Sequence, residues 1–529
     1  MEINSYKNLR RHSIHFWIYF FCLCLLVVSM PTSRFLISAS QILMGLNWIA
    51  EGQFKSKFNK FFSNKAAVVF TLIYGIHILG LFWSEDLHYG FFYDLKHKIP
   101  TLTLTLFIVT SPALDIKKTR FVLFLFVATV LAVSFVGFFN FLTKDLSHYR
   151  YILPVGSHLY YSMMLILSAV LLPWLTHQIT NKKHLIISAY ALSLWMIIFL
   201  MLIRSLSGIG SLVGVIFFLI IWFVRNYESL FLKISIITLF IIASVVSIVV
   251  LFNIYKESTH FVEYDFSKLE KFTDEGNPYR HDTLNFQREN GRLVSIYISD
   301  IELEKEWNKR SDIDYHGKTK NNRVLRHVLY NYMTSKGLRK DKEGFKELSE
   351  EDIKEIEKGT HNYLYADWPG VFQRIHQTMA GVNIYMETNN PKYSTLAQRI
   401  ELWDAAIEAI KNKPLIGWGT GDIYLAIQYG LEKNKSKYFQ GRDVKPHNQY
   451  LLFLITFGIV GFALIVYFYI YTIRKSKGIA FLPFNIFVVI FAVNMLGNNP
   501  IDGQFGQTMF VFFTVFFCFV YPKPEKKVH

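Results

Sequence analysis

The sequence predicts an all-α polytopic membrane protein of about twelve transmembrane helices, with a large, mainly helical external loop between spans nine and ten. Three observations predict it: an oily composition, the length of the apolar runs, and basic residues that recur in every second connection. Of 529 residues, 52% are hydrophobic and 17% aromatic, while only 18% are charged. That balance excludes an ordinary soluble enzyme. The apolar residues gather in runs of roughly twenty, the length a helix needs to cross about 30 Å of hydrocarbon.

The runs fall near 14–30, 34–50, 66–83, 99–113, 119–142, 157–176, 184–203, 208–225, 232–254, 448–472, 478–496 and 504–521. Arg34 and Gln41 dilute the second, and Ser and Thr dilute the second and fourth. Lys7, Arg10 and Arg11 precede the first run as they would in a signal peptide. The run is too long for one and no convincing small-residue cleavage site follows, so it reads as a retained span. Cys22, Cys24 and Cys518 all lie inside spans, leaving no exposed thiol for a disulfide or a zinc site.

The formal charge of +16 invites a nucleic-acid reading, but its distribution argues against one. Basic residues cluster at Lys7–Arg11, Lys55–Lys65, Lys117–Arg120, Lys182–Lys183, Arg225–Lys233, Arg474–Lys477 and Lys523–Lys527. These are alternate connections, so the positive-inside rule places both termini in the cytoplasm. The long connection from 255 to 447 then faces outward, and its acids and bases are roughly balanced. Three regions result: spans one to nine in 1–254, the external loop in 255–447, and spans ten to twelve with a short cytoplasmic tail in 448–529.

Within the loop, residues 323–335 place Val324, Leu325, Val328, Leu329 and Tyr332 on one side of an amphipathic helix. Ser349 and Asp352 form a capping box that opens a short charged helix, and Gly359 closes it. Asp312 and Asp314 make a D-x-D, a spacing used for metals, but in this acid-rich stretch it reads as a solvated turn. A stronger helix begins near 397, with Ile400, Trp403, Ile407 and Ile410 at helical spacing and Pro414 ending it. Arg399 lies four residues before Trp403, so both project from one side.

GWGTGD at 417–422 is a tight turn whose Asp422 is placed to cap the next helix. A dinucleotide fingerprint must follow a strand; here a helix precedes it, which argues against a nucleotide site. Lys445, Pro446 and His447 then lead into span ten. Pro favours the first helical position, which puts His447 in the first turn, at a positive pole that favours neutral imidazole and attracts phosphate. Transporters place ionisable groups near the midplane, whereas these spans hold few, His77 being the main exception. Surface chemistry is favoured over transport, with a flippase or transporter as the non-enzymatic alternative.

The stretch RIELWDAAIEAIKNKPLIGWGTGD, from Arg399 to Asp422, followed by HNQYLLFLITFGIVG, from His447 to Gly461, resembles the O-antigen ligase superfamily. The superfamily includes O-antigen ligases, O-antigen polymerases and bacterial protein O-oligosaccharyltransferases. The likeness covers the topology loosely and roughly seventy residues closely, and residues of about 262–395 have no recognised counterpart in the better known ligases. It implies an inner-membrane glycosyltransferase that moves a glycan en bloc from undecaprenyl diphosphate at the periplasmic face, without metal, cofactor or nucleotide sugar. The implied acceptor is lipid A core; a second lipid-linked glycan or a protein are the alternatives. His447 is implied as the base or orienting residue at the acceptor and Arg399 as a ligand to the donor pyrophosphate. Further pyrophosphate ligands are implied at Lys96 or Lys98 in DLKHKIP and at Arg204 in RSLSG, with Arg442 and Lys445 as spare phosphate candidates. Arg204 is displaced by two positions from the family pattern, a rotation of about 200° on a helix.

Overall fold

The computed structural model describes residues 2–144, 152–153, 157–259 and 261–522. Each apolar run coincides with a helix, since backbone groups in hydrocarbon must find partners within their own segment. In chain order these are α1 (Glu2–Thr32), α2 (Arg34–Glu51), the short amphipathic α3 (Phe54–Ser63), α4 (Lys65–Gly80), α5 (Lys96–Thr110), α6 (Ile116–Thr143), α7 (His158–Ile179), α8 (Lys183–Leu202), α9 (Leu206–Asn226) and α10 (Leu230–Thr259). The main extramembrane helices are α11 (Asp300–Arg310), α12 (Leu325–Ser335), α13 (Glu350–Lys358), α14 (Gly370–Thr388), α15 (Thr395–Asn412) and α16 (Ile423–Lys433). The chain then returns through α17 (Gln449–Ser476), α18 (Leu482–Gly497) and α19 (Gln504–Val515).

The protein is a polytopic, helical membrane protein. Among the described residues, eight helices are long and apolar enough to cross a membrane: α1, α4, α6 to α10 and α17, with α18 and α19 as shorter apolar helices. The expected count of about twelve is thereby narrowed at the two diluted runs. α5 has only 15 residues, and α2 carries polar groups that serve its neighbours. Asn47 bonds His15 at 2.8 Å and Gln41 bonds Thr508 at 3.3 Å. One continuous apolar core joins α1, α6, α7, α18 and α19.

The extramembrane segment is less regular than expected. Residues 261–299 are largely turns and extended chain, with a two-stranded pair Arg288–Glu289 and Arg292–Leu293. The predicted helix at 323–335 is α12, which buries Leu325, Val328, Leu329 and Tyr332, while Val324 caps it and stays exposed. Ser349 and Asp352 do form a reciprocal capping box, and Gly359 ends α13 at φ +95°. Asp312 and Asp314 lie in an exposed turn in which Asp314 accepts from the His316 N–H. α11, α12 and α13 share a core of their own around Trp307, Leu325, Leu329 and Ile356.

α15 buries a different stripe from the one expected. Ala397, Leu402, Ala405, Ala406 and Ala409 face inward, whereas Ile407 is exposed. Small side chains win because α16 crosses so closely that a methyl on Gly430 would lie 2.0 Å from the Ala405 carbonyl.

The loop after α15 inserts into a break in α17. Gly458 sits at φ +62° and ψ −170°, interrupting that helix. The opened turn and the loop exchange backbone bonds: Trp418 N–H to Ile455 at 2.8 Å, Gly419 N–H to Thr456 at 2.9 Å, Ile459 N–H to Pro414 at 2.8 Å and Val460 N–H to Leu415 at 3.1 Å. Thr420 and Gly421 continue onto the end of α4, where Thr420 Oγ1 donates to the His77 carbonyl at 2.7 Å and the Gly421 N–H to Ser84 at 3.0 Å. A methyl at Gly458 would meet the Leu415 carbonyl at 2.3 Å, on a backbone that an L side chain already strains. Gly458→Ala is expected to destabilise the protein by about 3 kcal/mol or more. Gly75→Ala, with open space around it, should change stability by under about 0.5 kcal/mol. Melting temperatures of the purified variants in one detergent check both.

Candidate functional site

Ser394 starts α15 by accepting the Ala397 N–H at 3.1 Å, and this helix carries Arg399 and Trp403 one turn apart. Trp403 Nε1 donates to the Pro446 carbonyl at 2.7 Å, so it holds the residue directly before His447. Trp403 is thereby a positioning residue for the chain that leads to His447. Arg399 Nη2 donates to Asn498 at 3.2 Å, and Asn498 donates to Ser207 at 2.9 Å, linking α15, the end of α18 and the start of α9.

His447 does not lie in the first turn of its helix. Asn448 is the N-cap, accepting from the N–H groups of Tyr450 at 3.0 Å and Leu451 at 3.1 Å, and α17 begins at Gln449. An asparagine side chain satisfies orphan helix donors that Pro446 and His447 could not. His447 itself adopts φ +49°, a left-handed backbone uncommon outside glycine and found disproportionately at functional sites. The imidazole pKa is lowered, but by crowding against protein first and the Arg399 charge second, with Lys445 adding and Asp502 opposing. The expected neutral form is kept and its expected cause, the helix pole, is replaced. Arg399 is itself lowered by burial and by Arg374, and as a guanidinium it stays charged.

Lys96 and Lys98 separate cleanly. Lys96 is exposed, while Lys98 is 3% exposed and donates to the carbonyls of Ile501 at 2.6 Å and Asp502 at 3.1 Å. The Asp502 carboxylate lies 3.9 Å from Lys98 and 2.7 Å from Lys445. Burial pulls the Lys445 ammonium down, but Asp502 and Tyr89 outweigh it and hold its pKa above the ordinary lysine value. Arg442 is exposed, turned over the Tyr438 ring at 4.9 Å, and Arg204 reaches α14, where it donates to Gln373 at 2.9 Å. Neither meets the Lys98–Lys445–Asp502 group.

Several residues of the site escaped the sequence reading. Asp502 is the one acid between Asp443 and Glu525, and a lone carboxylate between apolar runs is a signal for a functional partner. Asp94, on a π-helical turn before α5, bonds His77 at 2.6 Å. Gln449 is fully buried beside them, and its amide oxygen and nitrogen find no partner among the described residues. Asp422 does not cap α16 through its side chain. Its carboxylate accepts the N–H groups of Glu85 and Asp86, each at 2.9 Å, after α4. The amides of Trp418, Gly419, Thr420 and Gly421 are taken by carbonyls and Ser84, so these four are not available to a phosphate.

These features define a multi-pass membrane protein with a charge-rich site in which the exposed His447 feels both the half-buried Arg399 of α15 and the Lys445–Asp502 pair, and Asp502 in turn reaches the buried Lys98 of α5. Residues 363–466 match the family model Wzy_C, described as O-antigen ligase. The likeness read from Arg399 to Gly461 is therefore a family match. That segment contains Arg374, Arg399, Trp403, the Gly-rich turn and His447, while Lys98, Arg204 and Asp502 lie outside it. No curated protein matches the chain.

Removing one partner of a largely buried ion pair strands the other charge. Asp502→Asn is expected to cost about 3 kcal/mol of stability. Adding Lys445→Met should recover part of that loss, because the stranded ammonium is then gone. Thermal unfolding of the two single variants and the double variant checks the coupling.

Proposed function

We propose that the protein transfers a glycan en bloc from undecaprenyl diphosphate to an acceptor hydroxyl of lipid A core. The proposed setting is the periplasmic face of the inner membrane, with both termini cytoplasmic, about twelve crossings and residues 255–447 outside. The observation that carries the reading is the Trp403–Pro446 tether, which brings Arg399 and His447 of the O-antigen ligase segment to one site.

In the proposed reaction the acceptor oxygen attacks the anomeric carbon of the glycan. A bond forms between them, the bond from that carbon to the diphosphate breaks, and undecaprenyl diphosphate leaves. Neutral His447 takes the acceptor's proton. Charge grows on the departing diphosphate, and the Arg399 fork suits it by binding phosphate oxygens in pairs. Lys98 and Lys445 face two carboxylates, Asp502 and Asp94, so the charge left for the diphosphate is that of Arg399, whose hydrogen-bond partner is the neutral Asn498. Preorganised charge of this kind commonly supplies more than acid–base help. A ligase, a polymerase and a protein O-oligosaccharyltransferase share this chemistry and differ in acceptor.

The test supplies purified protein with undecaprenyl-diphosphate glycan and, separately, lipid A core, a second donor molecule and an acceptor protein. Glycosylated lipid A core is expected, and Arg399→Ala and His447→Ala should each slow its formation by about a hundredfold or more. A longer lipid-linked glycan or a glycoprotein instead reassigns the acceptor. No product, with normal surface glycans in cells carrying either variant, sinks the transferase reading and leaves a flippase.

The lowered His447 pKa has a definite sign. The neutral base persists below the ordinary imidazole value, so the acid limb of the pH–rate profile should lie below pH 6.5. Arg399→Gln removes a positive neighbour and should raise the His447 pKa, read by NMR of labelled histidine.

A further inference from the structure

A second charged cavity, of about 390 Å³, lies between the ends of membrane helices and α14. That volume falls in the range of small-molecule sites. Lys144 and Arg204 line it from the membrane side, Arg374 from α14, and Arg323 and His361 from the segment before α14. Its described lining contains no carboxylate. Neither Arg323 nor Arg374 makes an ion pair among the described residues, and burial lowers the Arg323 pKa. Cations gathered in one partly desolvated space repel each other, and an anion relieves that cost.

The donors are arranged, not scattered. Arg323 Nη1 donates to the Gly359 carbonyl at 3.3 Å and to His361 Nδ1 at 3.0 Å. Accepting at Nδ1 leaves the neutral ring's proton on Nε2, a further donor. Burial first, then Arg323 and His376, holds the His361 pKa down to about 4, which keeps the ring neutral. Arg204 is laid flat against α14, where a methyl on Gly370 would meet its Nε at 2.0 Å. Asn321 and Gln377 add amide groups suited to sugar hydroxyls, whereas the Thr360 hydroxyl is already given to Glu355 at 2.9 Å.

We propose that this cavity binds an acidic saccharide, its carboxylate or phosphate group lying among Arg323, Arg374 and Arg204. Arg323 and His361 precede the matched segment 363–466, so the pocket is partly built by chain that the family model does not cover. The binding claim stands without the transferase reading; that the sugar belongs to the substrate glycan rests on it.

Full-length protein in zwitterionic nanodiscs is titrated calorimetrically with digalacturonate, an uncharged digalactose and inorganic phosphate. Digalacturonate should bind, more weakly as salt is added, and digalactose should not bind measurably. Arg323→Gln should weaken digalacturonate about tenfold or more, the worth of a charged hydrogen bond. Arg374→Gln removes a cation that makes no ion pair among the described residues, and it should weaken binding likewise if Arg323→Gln fails to fold. His447→Ala, which removes no charge and whose electrostatic neighbours do not include the cavity's cations, should leave the affinity within about twofold, which separates this pocket from the transferase site. Equal binding of digalactose overturns the proposal, and so does unchanged affinity in the folded cavity variants. Loss in His447→Ala instead would place the anion at the other site, and phosphate binding as tightly as digalacturonate would remove the saccharide.

Discussion

The site depends on a backbone exchange between the opened turn of α17 and the loop from Pro414 to Asp422. A break in a helix frees carbonyls and amides, and in an apolar setting each one left unpaired costs several kcal/mol. Trp418 and Gly419 supply the missing donors, while Pro414 and Leu415 supply the acceptors. The exchange works only because Gly417 and Gly458 have positive φ, +70° and +62°, with no side chain to block the approach. α15 ends where this loop begins and α17 carries the break, so the lock holds these two helices together roughly three turns from Arg399 and His447. Trp403 closes the frame from the other end through Pro446.

Electrostatics then follow from which charges the frame lets water reach. Lys98 and Lys445 lose water but gain Asp502, and carbonyls take up the remaining donors of Lys98. Arg399 has a neutral partner in Asn498, which leaves its charge unspent for a ligand. His447 feels that charge and stays neutral. A base and a cation thus sit together without neutralising each other, the arrangement a leaving diphosphate and a departing proton both need. The left-handed backbone at His447 costs of order 1–3 kcal/mol, and the Trp403 tether with the Asn448 cap over-determines it.

The membrane helices were legible because their signal is local: twenty apolar residues in a row announce a span whatever surrounds them. The diluted runs were the weaker ones for the same reason, since Gln41 and Asn47 serve neighbouring helices that a window cannot see. Arg399, Trp403 and His447 were legible through a motif, and Ser349 and Gly359 through the rules of helix ends. What escaped is tertiary. The choice of Lys98 over Lys96 depends on the Ile501 and Asp502 carbonyls, roughly four hundred positions away in sequence. Ile407 fits a helical stripe but lies outward, because the approach of Gly430 rewards alanine instead. The position of His447 turned on Asn448, a cap that outcompetes the proline preceding it.

The two charged places also differ in kind. Lys98 and Lys445 converge on Asp502, with Asp94 close by, so that site carries its own counter-charge whether or not a ligand is present. The cavity of Arg204, Arg323 and Arg374 has no carboxylate among its described lining residues, the feature on which the proposal of an anionic ligand rests. A site with its own counterion suits a group that must be released after reaction, since a moderate field lets a product leave. One without suits recognition, where tight complementarity to a particular anion is the purpose. The segment before α14, with its separate core around Trp307, gives Arg323 and His361 the rigid backing that such recognition requires.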